Sequence, residues 1–303
     1  GAIVLSMTAK TTTRESSRKT KNQSKKSATA TKSTAVKVSV PAIRNTEEQK
    51  RGLRNLSLRL GAVLLVLAIA IVIAGNSSTV PLTTQYLAKD VLATEAAGGK
   101  EVLATATRHL ADINVSWLVA KFLVVFAALF ILLPTVWRKH YEAWLDQGVN
   151  KLRWVGFGLG AGVAAAIITA LSGISDIGYL LLIFASLAIL GSLATVVDLI
   201  GPGRKLRKYV AITALGAAAL PVVVIALTLG GTIVYGGNLP AYMYFIYGSM
   251  LLFTVAFALA YFLRLRRRGR WADSLFAERG FMLLGFTAAV ILALQIFAGA
   301  LQA

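Results

Sequence analysis

Side chains that could carry chemistry are scarce in this sequence. Cysteine is absent, which excludes a thiolate nucleophile and a cysteine-based metal site. The two histidines, His109 and His140, lie in segments that we predict to be loops, so we expect no metal centre. Lys121 lies within an apolar stretch, where an ionisable side chain is a functional candidate. It is close to the end of that stretch, so an ammonium extended to the membrane interface is the favoured interpretation.

General acid–base catalysis lacks suitable groups. The apolar stretches hold no cysteine and no histidine, and no pair of carboxylates is evident in them. Positioned acids and bases are what such catalysis requires. The sequence therefore predicts a protein that is not an enzyme.

The composition indicates which class of protein carries these residues. Of the 303 residues, 56% are hydrophobic and 15% charged, yet the formal net charge is +19. A soluble domain has about 45–50% apolar and about 25% charged residues. Strong apolarity and strong basicity can coexist when they are segregated along the chain. The composition therefore predicts an integral membrane protein with basic regions outside the lipid.

The first 58 residues form a basic block with 13 Lys/Arg against three Asp/Glu. No apolar periodicity occurs before Leu53, so we predict that residues 1–58 are a disordered cytoplasmic tail. The tail could bind anionic lipid headgroups or an acidic cytoplasmic partner. It has no aromatic residue for base stacking, so no specific nucleic acid is expected. A solvated arm that only sets membrane topology is an equally favoured alternative.

Residues 59–303 are predicted to form one domain. A membrane-spanning helix needs roughly 20 predominantly apolar residues. Seven stretches meet this condition, which predicts an all-α bundle of seven transmembrane helices. The stretches are Leu58–Ala74, Val115–Trp137, Trp154–Leu171, Ile177–Ile200, Tyr209–Leu229, Pro240–Leu263 and Gly280–Leu301.

The charges of the connections predict the orientation of the bundle. Basic connections at 138–153, 201–208 and 264–279 alternate with connections that are neutral or acidic. Under the positive-inside rule, this pattern places the N-terminus in the cytoplasm and the C-terminus outside the cell. The outer connection, Gly75–Asn114, is long for a simple turn and is predicted to have structure of its own.

Glycines and prolines within the stretches predict how the helices pack. The pairs Gly156/Gly160 and Gly158/Gly162 give two overlapping faces of small residues that allow close helix approach. Pro134 is predicted to lie inside the second spanning helix, where a proline removes one backbone hydrogen bond. We favour a structural role for these residues over a ligand or ion pathway.

Several short segments together match a known pattern. They are Asn76–Leu87 after the first stretch, Arg153-Trp154-Val155, Gly173–Ile177, Glu278-Arg279 and Gln295–Gly299. In their order and spacing, from about Arg59 to Leu301, they resemble the heliorhodopsins, a seven-helix family that is similar to microbial rhodopsins and has an inverted topology. The resemblance implies a multi-pass protein of the plasma membrane of a prokaryote that forms homodimers.

The departures from this family concern its retinal site. Relative to the matched segments, the position of the lysine that binds retinal is occupied by Ala289, and that of the counterion glutamate by Gly156. Two histidines of the family's inner cavity correspond to Leu65 and Leu129. The two losses agree, because a buried glutamate without its cationic partner would be costly. The resemblance therefore implies a member without covalently bound retinal.

Three classes of function follow from this combination. We expect a sensory protein, a scaffold, or a binder of a non-covalent apolar molecule in the emptied pocket. The alternative is a small-solute channel or transporter. The scarcity of charged and polar pairs in the apolar stretches argues against that alternative.

Overall fold

Seven helices of the computed structural model are long and apolar enough to cross a membrane. The structure describes residues 47–148, 150–200, 204–236 and 239–302, which all belong to one compact unit. The spanning helices are α1 (Glu47–Ala74), α3 (Val115–Leu132), α5 (Lys151–Leu171), α6 (Ile177–Ile200), α7 (Lys205–Gly231), α8 (Ala241–Leu265) and α9 (Ser274–Gln302). The shorter helices are α2 (Val91–Ala96) and α4 (Arg138–Asp146). The predicted bundle of seven transmembrane helices is confirmed, and the described residues are mostly helical.

The hydrophobic core lies mainly between α1, α3, α5 and α9. Leu64, Phe122, Ile168 and Ile296 contribute side chains that are almost completely buried. α7 and α8 bury fewer residues and expose long apolar faces, as helices in contact with lipid do. Between them the chain forms a π-helical turn over Thr232–Gly236.

α1 begins well before its apolar part, at Glu47. The Lys50 ammonium is buried and donates to Asp146 of α4 at 2.8 Å, which holds the first turns of α1 in place. The predicted boundary between tail and membrane domain is therefore too late, because residues 47–58 are helical. The remainder of the predicted tail, residues 1–46, lies outside the described residues.

α3 is shorter than the predicted span Val115–Trp137. It ends at Leu132, so the prediction that Pro134 lies inside the helix is wrong. Pro134 has no N–H to donate to the carbonyl of Phe130, four residues earlier. The hydroxyl of Ser57 on α1 donates to that carbonyl instead, at 2.6 Å. The chain then turns into α4.

The glycines of α5 face two different neighbours. A Cβ added at Gly158 would lie 2.6 Å from the carbonyl oxygen of Leu187 on α6, and one at Gly162 would meet the α6 backbone as well. Gly156 and Gly160 instead face side chains of α3. The prediction of two faces for close helix packing is confirmed.

The long connection after α1 folds into a β-hairpin. Strands β1 (Thr79–Lys89) and β2 (Leu103–Asn114) pair antiparallel, with α2 between them. The amide of Thr83 donates to the carbonyl of Ser175, in the turn between α5 and α6, at 2.9 Å. The prediction that this connection has structure of its own is confirmed. We call this end of the bundle the hairpin end, and the opposite end, which carries α4, the basic end.

Candidate functional site

Ala289 lies in the core of the bundle, at 1% exposure. Its helix, α9, contains no lysine. Gly285 lies one turn earlier on the same face of α9. The ring of Phe157 packs against it so closely that a Cβ added at Gly285 would lie 2.8 Å from the ring. The surroundings of Ala289 on α9 are therefore hydrocarbon.

Gly156 and Leu129, two of the predicted pocket positions, lie in direct contact. A Cβ at Gly156 would lie 2.6 Å from Cδ2 of Leu129, so the leucine occupies the space that a side chain at position 156 would need. The structure thus brings these two positions together as a packed apolar contact. A glutamate at 156 would require Leu129 to move.

Aromatic rings fill the space next to this contact. Phe126 of α3 packs onto Gly160 of α5. The ring of Phe126 stacks against that of Phe157, with centroids 6.3 Å apart. Phe157 in turn meets Phe257 of α8 edge to face, at 5.7 Å. These rings connect α3, α5, α8 and α9 across the interior.

Two of the predicted residues lie away from the interior. Leu65 is 36% exposed, whereas its neighbour Leu64 is fully buried, so Leu65 does not line an inner cavity. That correspondence was based on sequence spacing, and an error of one position turns a helical residue by about 100°. Lys121 is exposed on α3, which agrees with the interpretation that its ammonium reaches the membrane interface.

A buried ion pair lies at the basic end of the bundle. Arg153, the third residue of α5, is 6% exposed, and Glu278, near the start of α9, is 2% exposed. The guanidinium donates from Nη1 to Oε2 of Glu278. The other carboxylate oxygen, Oε1, accepts from Nδ2 of Asn150 at 2.7 Å. Both oxygens of this carboxylate therefore accept a hydrogen bond from inside the protein, as a buried charge requires.

Further contacts hold Arg153 in place. Nη2 lies 3.7 Å from Oδ2 of Asp198 on α6, which also accepts from Nε1 of Trp154 at 2.8 Å. The rings of Trp154 and Phe281 each lie 4.9 Å from the guanidinium, at cation–π distance. We call Asn150, Arg153, Asp198 and Glu278, together with Tyr141, the ion-pair network.

Tyr141 of α4 completes this network. Its hydroxyl donates to Oε1 of Glu278 over a long 3.5 Å. Burial and, second, the negative charge of Glu278 raise the pKa of Tyr141 well above its ordinary value of 10.0. The phenol therefore stays protonated and can keep donating to the carboxylate.

A cavity of about 20 Å³ lies beside the network, between Ser57, Leu129, Tyr141 and Arg153. This volume is about that of a single water molecule. Among the described residues, no group of three or more His, Cys, Asp or Glu could hold a metal ion. The hydrogen bonds and ion pairs of the network join α4, α5, α6 and α9, so we interpret it as a structural contact between these helices.

Comparison with known families agrees with this architecture. The model of the heliorhodopsin family matches residues 53–301. The chain belongs to the heliorhodopsin family. A search of curated proteins finds no match. As a heliorhodopsin-family protein with seven spanning helices, it is a multi-pass membrane protein.

Members of the heliorhodopsin family normally bind retinal. The residues around Ala289 do not fit retinal attached to α9, because this helix supplies no amine to form the bond. The contact between Leu129 and Gly156 also leaves no carboxylate there to hold a positive charge. Hydrocarbon side chains occupy this part of the interior.

Sequence reasoning missed the ion-pair network. Arg153 and Glu278 were assigned to charged connections, because the predicted helices began at Trp154 and Gly280. In the structure, α5 and α9 begin earlier, at Lys151 and Ser274, so both charged residues lie inside helices. Asn150 was a usable signal, since its side chain accepts from the amide of Arg153 at 3.1 Å as a helix N-cap.

Proposed function

We propose that this heliorhodopsin-family protein acts without covalently bound retinal, as a sensory or scaffold protein or as a binder of an apolar molecule, and that it is not an enzyme. The observation that carries this proposal is the packing of Leu129 onto Gly156, close to an α9 that has no lysine. In this proposal, Ala289 occupies the position of the retinal lysine. Light absorption by a covalently attached retinal is then not its input.

The proposed output surface is the basic end. Its exposed basic side chains on α7 and in the connection after α8 are Lys205, Lys208, Arg266, Arg267, Arg268 and Arg270. By the positive-inside rule, this end faces the cytoplasm. There it would bind anionic lipid headgroups or an acidic partner, together with the basic tail. Two copies of the chain would form a homodimer, with the hairpin as the proposed contact.

The absence of covalent retinal is tested by adding all-trans-retinal to the purified full chain. We expect no visible absorption band beyond that of free retinal. After borohydride reduction, intact-mass measurement should show no retinal adduct. A visible band that hydroxylamine bleaches would overturn the proposal.

A gain-of-function variant tests the assignment of positions. Ala289→Lys supplies an amine, Gly156→Glu a carboxylate, and Leu129→Ala the space that this carboxylate needs. We expect the triple variant to form a bleachable band with retinal, whereas Gly156→Glu with Leu129→Ala alone forms none. If the lysine-bearing variant folds and binds no retinal, position 289 is misassigned.

The absence of native cysteine makes the proposed orientation simple to test. Arg268→Cys places one thiol at the basic end, and Lys100→Cys places one beside the hairpin. We expect a membrane-impermeant maleimide to label Lys100→Cys in intact cells, and Arg268→Cys only after the cells are opened. The reverse pattern would contradict the cytoplasmic placement of the basic end.

A further inference from the structure

A second and larger cavity lies at the hairpin end, with a volume of about 240 Å³. We call it the hairpin cavity. It is bounded by the start of β1 and by the ends of α3, α5, α8 and α9. Its lining residues include Val80, Pro81, Leu171, Tyr242, Ile296 and Ala300. The cavity therefore has walls from five elements that are far apart in sequence.

Hydrogen bonds fix the β1 side of this cavity. Nδ2 of Asn76 donates to the carbonyl of Ala300, the last lining residue of α9, at 2.9 Å. The amide of Val115 donates to the carbonyl of Ser78 at 3.0 Å. The amide of Thr83 is bonded to the turn after α5, as described above. These bonds hold the hairpin at a fixed height above the helix ends.

The opposite wall is equally constrained. The ring of Tyr242 lies against Gly299 so closely that a Cβ there would lie 2.5 Å from the ring carbon Cδ2. Gly173, in the turn after α5, has a backbone φ of +93°, which residues other than glycine rarely adopt. A tightly packed ring and a specialised turn do not move easily into an adjacent space, so the cavity is preformed.

The lining determines what can bind. Aliphatic side chains and one aromatic ring provide most of the wall, while Ser78 and Thr79 place hydroxyl-bearing residues on one side. An apolar cavity of about 150 Å³ inside a protein binds benzene. A cavity of this larger volume therefore accommodates a molecule bigger than benzene. Retinal at the centre of the bundle, by contrast, would meet the rings and Leu129 that fill the interior.

We propose that the hairpin cavity binds a small hydrocarbon molecule with a single polar group, such as a medium-chain alcohol or a phenol. This proposal deepens the ligand-binding part of the proposed function and moves its site away from the position of Ala289. The same hydrocarbon chemistry is available from a free molecule and from the acyl chain of a bilayer lipid. A preformed site gains affinity because little conformational entropy is lost on binding.

The test is photolabelling of the full chain in lipid nanodiscs with azi-octanol, an octanol that carries a photoreactive diazirine. Adducts are then mapped by peptide mass spectrometry. We expect adducts on the segments around Ser78–Pro81, Tyr242 and Ile296–Ala300 that disappear when excess octanol is added. Adducts spread over the lipid-facing sides of the helices, without competition by octanol, would overturn the proposal.

Variants that fill the cavity sharpen this test. Ala300→Phe and, separately, Ala170→Phe add a ring to the cavity wall, and each should reduce competed labelling at least tenfold. Ala219→Phe, on an exposed face of α7, is the matched control and should leave labelling unchanged. If both wall variants lose the fold by circular dichroism, Ala300→Leu is the milder substitute. Unchanged labelling in a folded wall variant would contradict the site.

Native mass spectrometry separates the two sources of the ligand. If a lipid acyl chain occupies the cavity, wild-type protein should retain a lipid mass that Ala300→Phe lacks, and octanol should displace it. If the ligand is a free molecule, wild-type and variant should retain equal lipid, and only the photolabelling should differ. Failure of both readouts removes the cavity as a site and leaves the retinal experiment of the proposed function unaffected.

Discussion

The two ends of the bundle are held together by different interactions. At the basic end, buried charges join the helices, with Arg153 between the carboxylates of Glu278 and Asp198. At the hairpin end, backbone amides and the side chains of Asn76 and Asp176 bind a β-hairpin over an apolar cavity. Buried ion pairs are costly to break singly, whereas hydrogen bonds near the surface, including the one to the Asp176 carboxylate, can open locally. The helices at the basic end should therefore resist separation more strongly than the hairpin resists local fluctuation.

Glu278→Gln should give the largest effect, because it leaves the buried guanidinium of Arg153 with only the more distant carboxylate of Asp198 as a charge partner. We expect a loss of about 3–5 kcal/mol in the free energy of unfolding, the typical cost of breaking a buried pair. Unfolding by sodium dodecyl sulfate in mixed micelles measures it. Glu142→Gln is the control, since its pairs with Arg54 and Arg138 are partly exposed and should contribute about 0–1 kcal/mol. Equal losses in the two variants would mean that the buried pair contributes no more than the partly exposed pairs at the same end.

Gly158→Ala should give the next largest loss of stability, because α5 and α6 extend from one end of the bundle to the other and pack closely along their length. The added Cβ would meet the carbonyl oxygen of Leu187 at 2.6 Å, so the two helices must separate. We expect a loss of about 1–3 kcal/mol, as for other overpacked sites. Gly216→Ala on α7, where nothing lies within 4 Å, should be neutral or stabilising. A neutral Gly158→Ala would mean that α5 and α6 are less closely packed than the structure indicates.

Asp176→Ala should loosen the hairpin end alone. Its carboxylate accepts from the amide of Gln85 at 2.8 Å and from that of Gly178 at 2.9 Å. We expect a cost of about 1–2 kcal/mol, with most of it appearing as local opening. Hydrogen exchange should accelerate in β1 near Gln85 and stay unchanged in α4. Asp112→Ala, which removes an exposed partner of His109, should leave exchange in β1 unchanged.

Tyr141→Phe should have the smallest effect, less than about 1 kcal/mol at neutral pH, because its hydrogen bond to Glu278 is long. The pKa of the folded phenol is raised, so above the ordinary pKa of 10.0 the unfolded chain releases a proton that the folded chain keeps. Stability of the wild type should therefore fall more steeply than that of Tyr141→Phe above about pH 10. Thermal unfolding from pH 8 to 11 measures the difference. Tyr86→Phe, on the exposed hairpin, is the control and should follow the wild type.

The sequence was sufficient to predict the spanning helices and the family, because apolar stretches and short matched segments extend from about residue 58 to residue 301. It was insufficient at helix ends, where charge and hydropathy give opposite indications. Glu278 was counted with a loop although it is buried inside α9, and the start of α1 at Glu47 was missed for the same reason. Burial of Glu278 and Lys50 depends on partners from α4 and α5, which hydropathy along one segment cannot reveal.

The candidate site shows a similar division. Gly156 and Leu129 were predicted as pocket positions, and the structure places them in contact. The inner-cavity position was assigned to Leu65, whereas the neighbouring residue Leu64 is the buried one. A long apolar run does not show which of its residues face the interior. The hairpin cavity was beyond prediction, since its walls come from five elements that only the tertiary structure brings together.

The hydrogen bond from Ser57 to the carbonyl of Phe130 has a consequence for motion. Pro134 cannot donate to that carbonyl, so the bond from α1 is its replacement. If α1 slid or rotated against α3, this buried carbonyl would lose its donor. This hydrogen bond therefore opposes relative motion of α1 and α3. Any rearrangement that carries a signal across the membrane should leave this pair intact and displace the less buried α7 and α8.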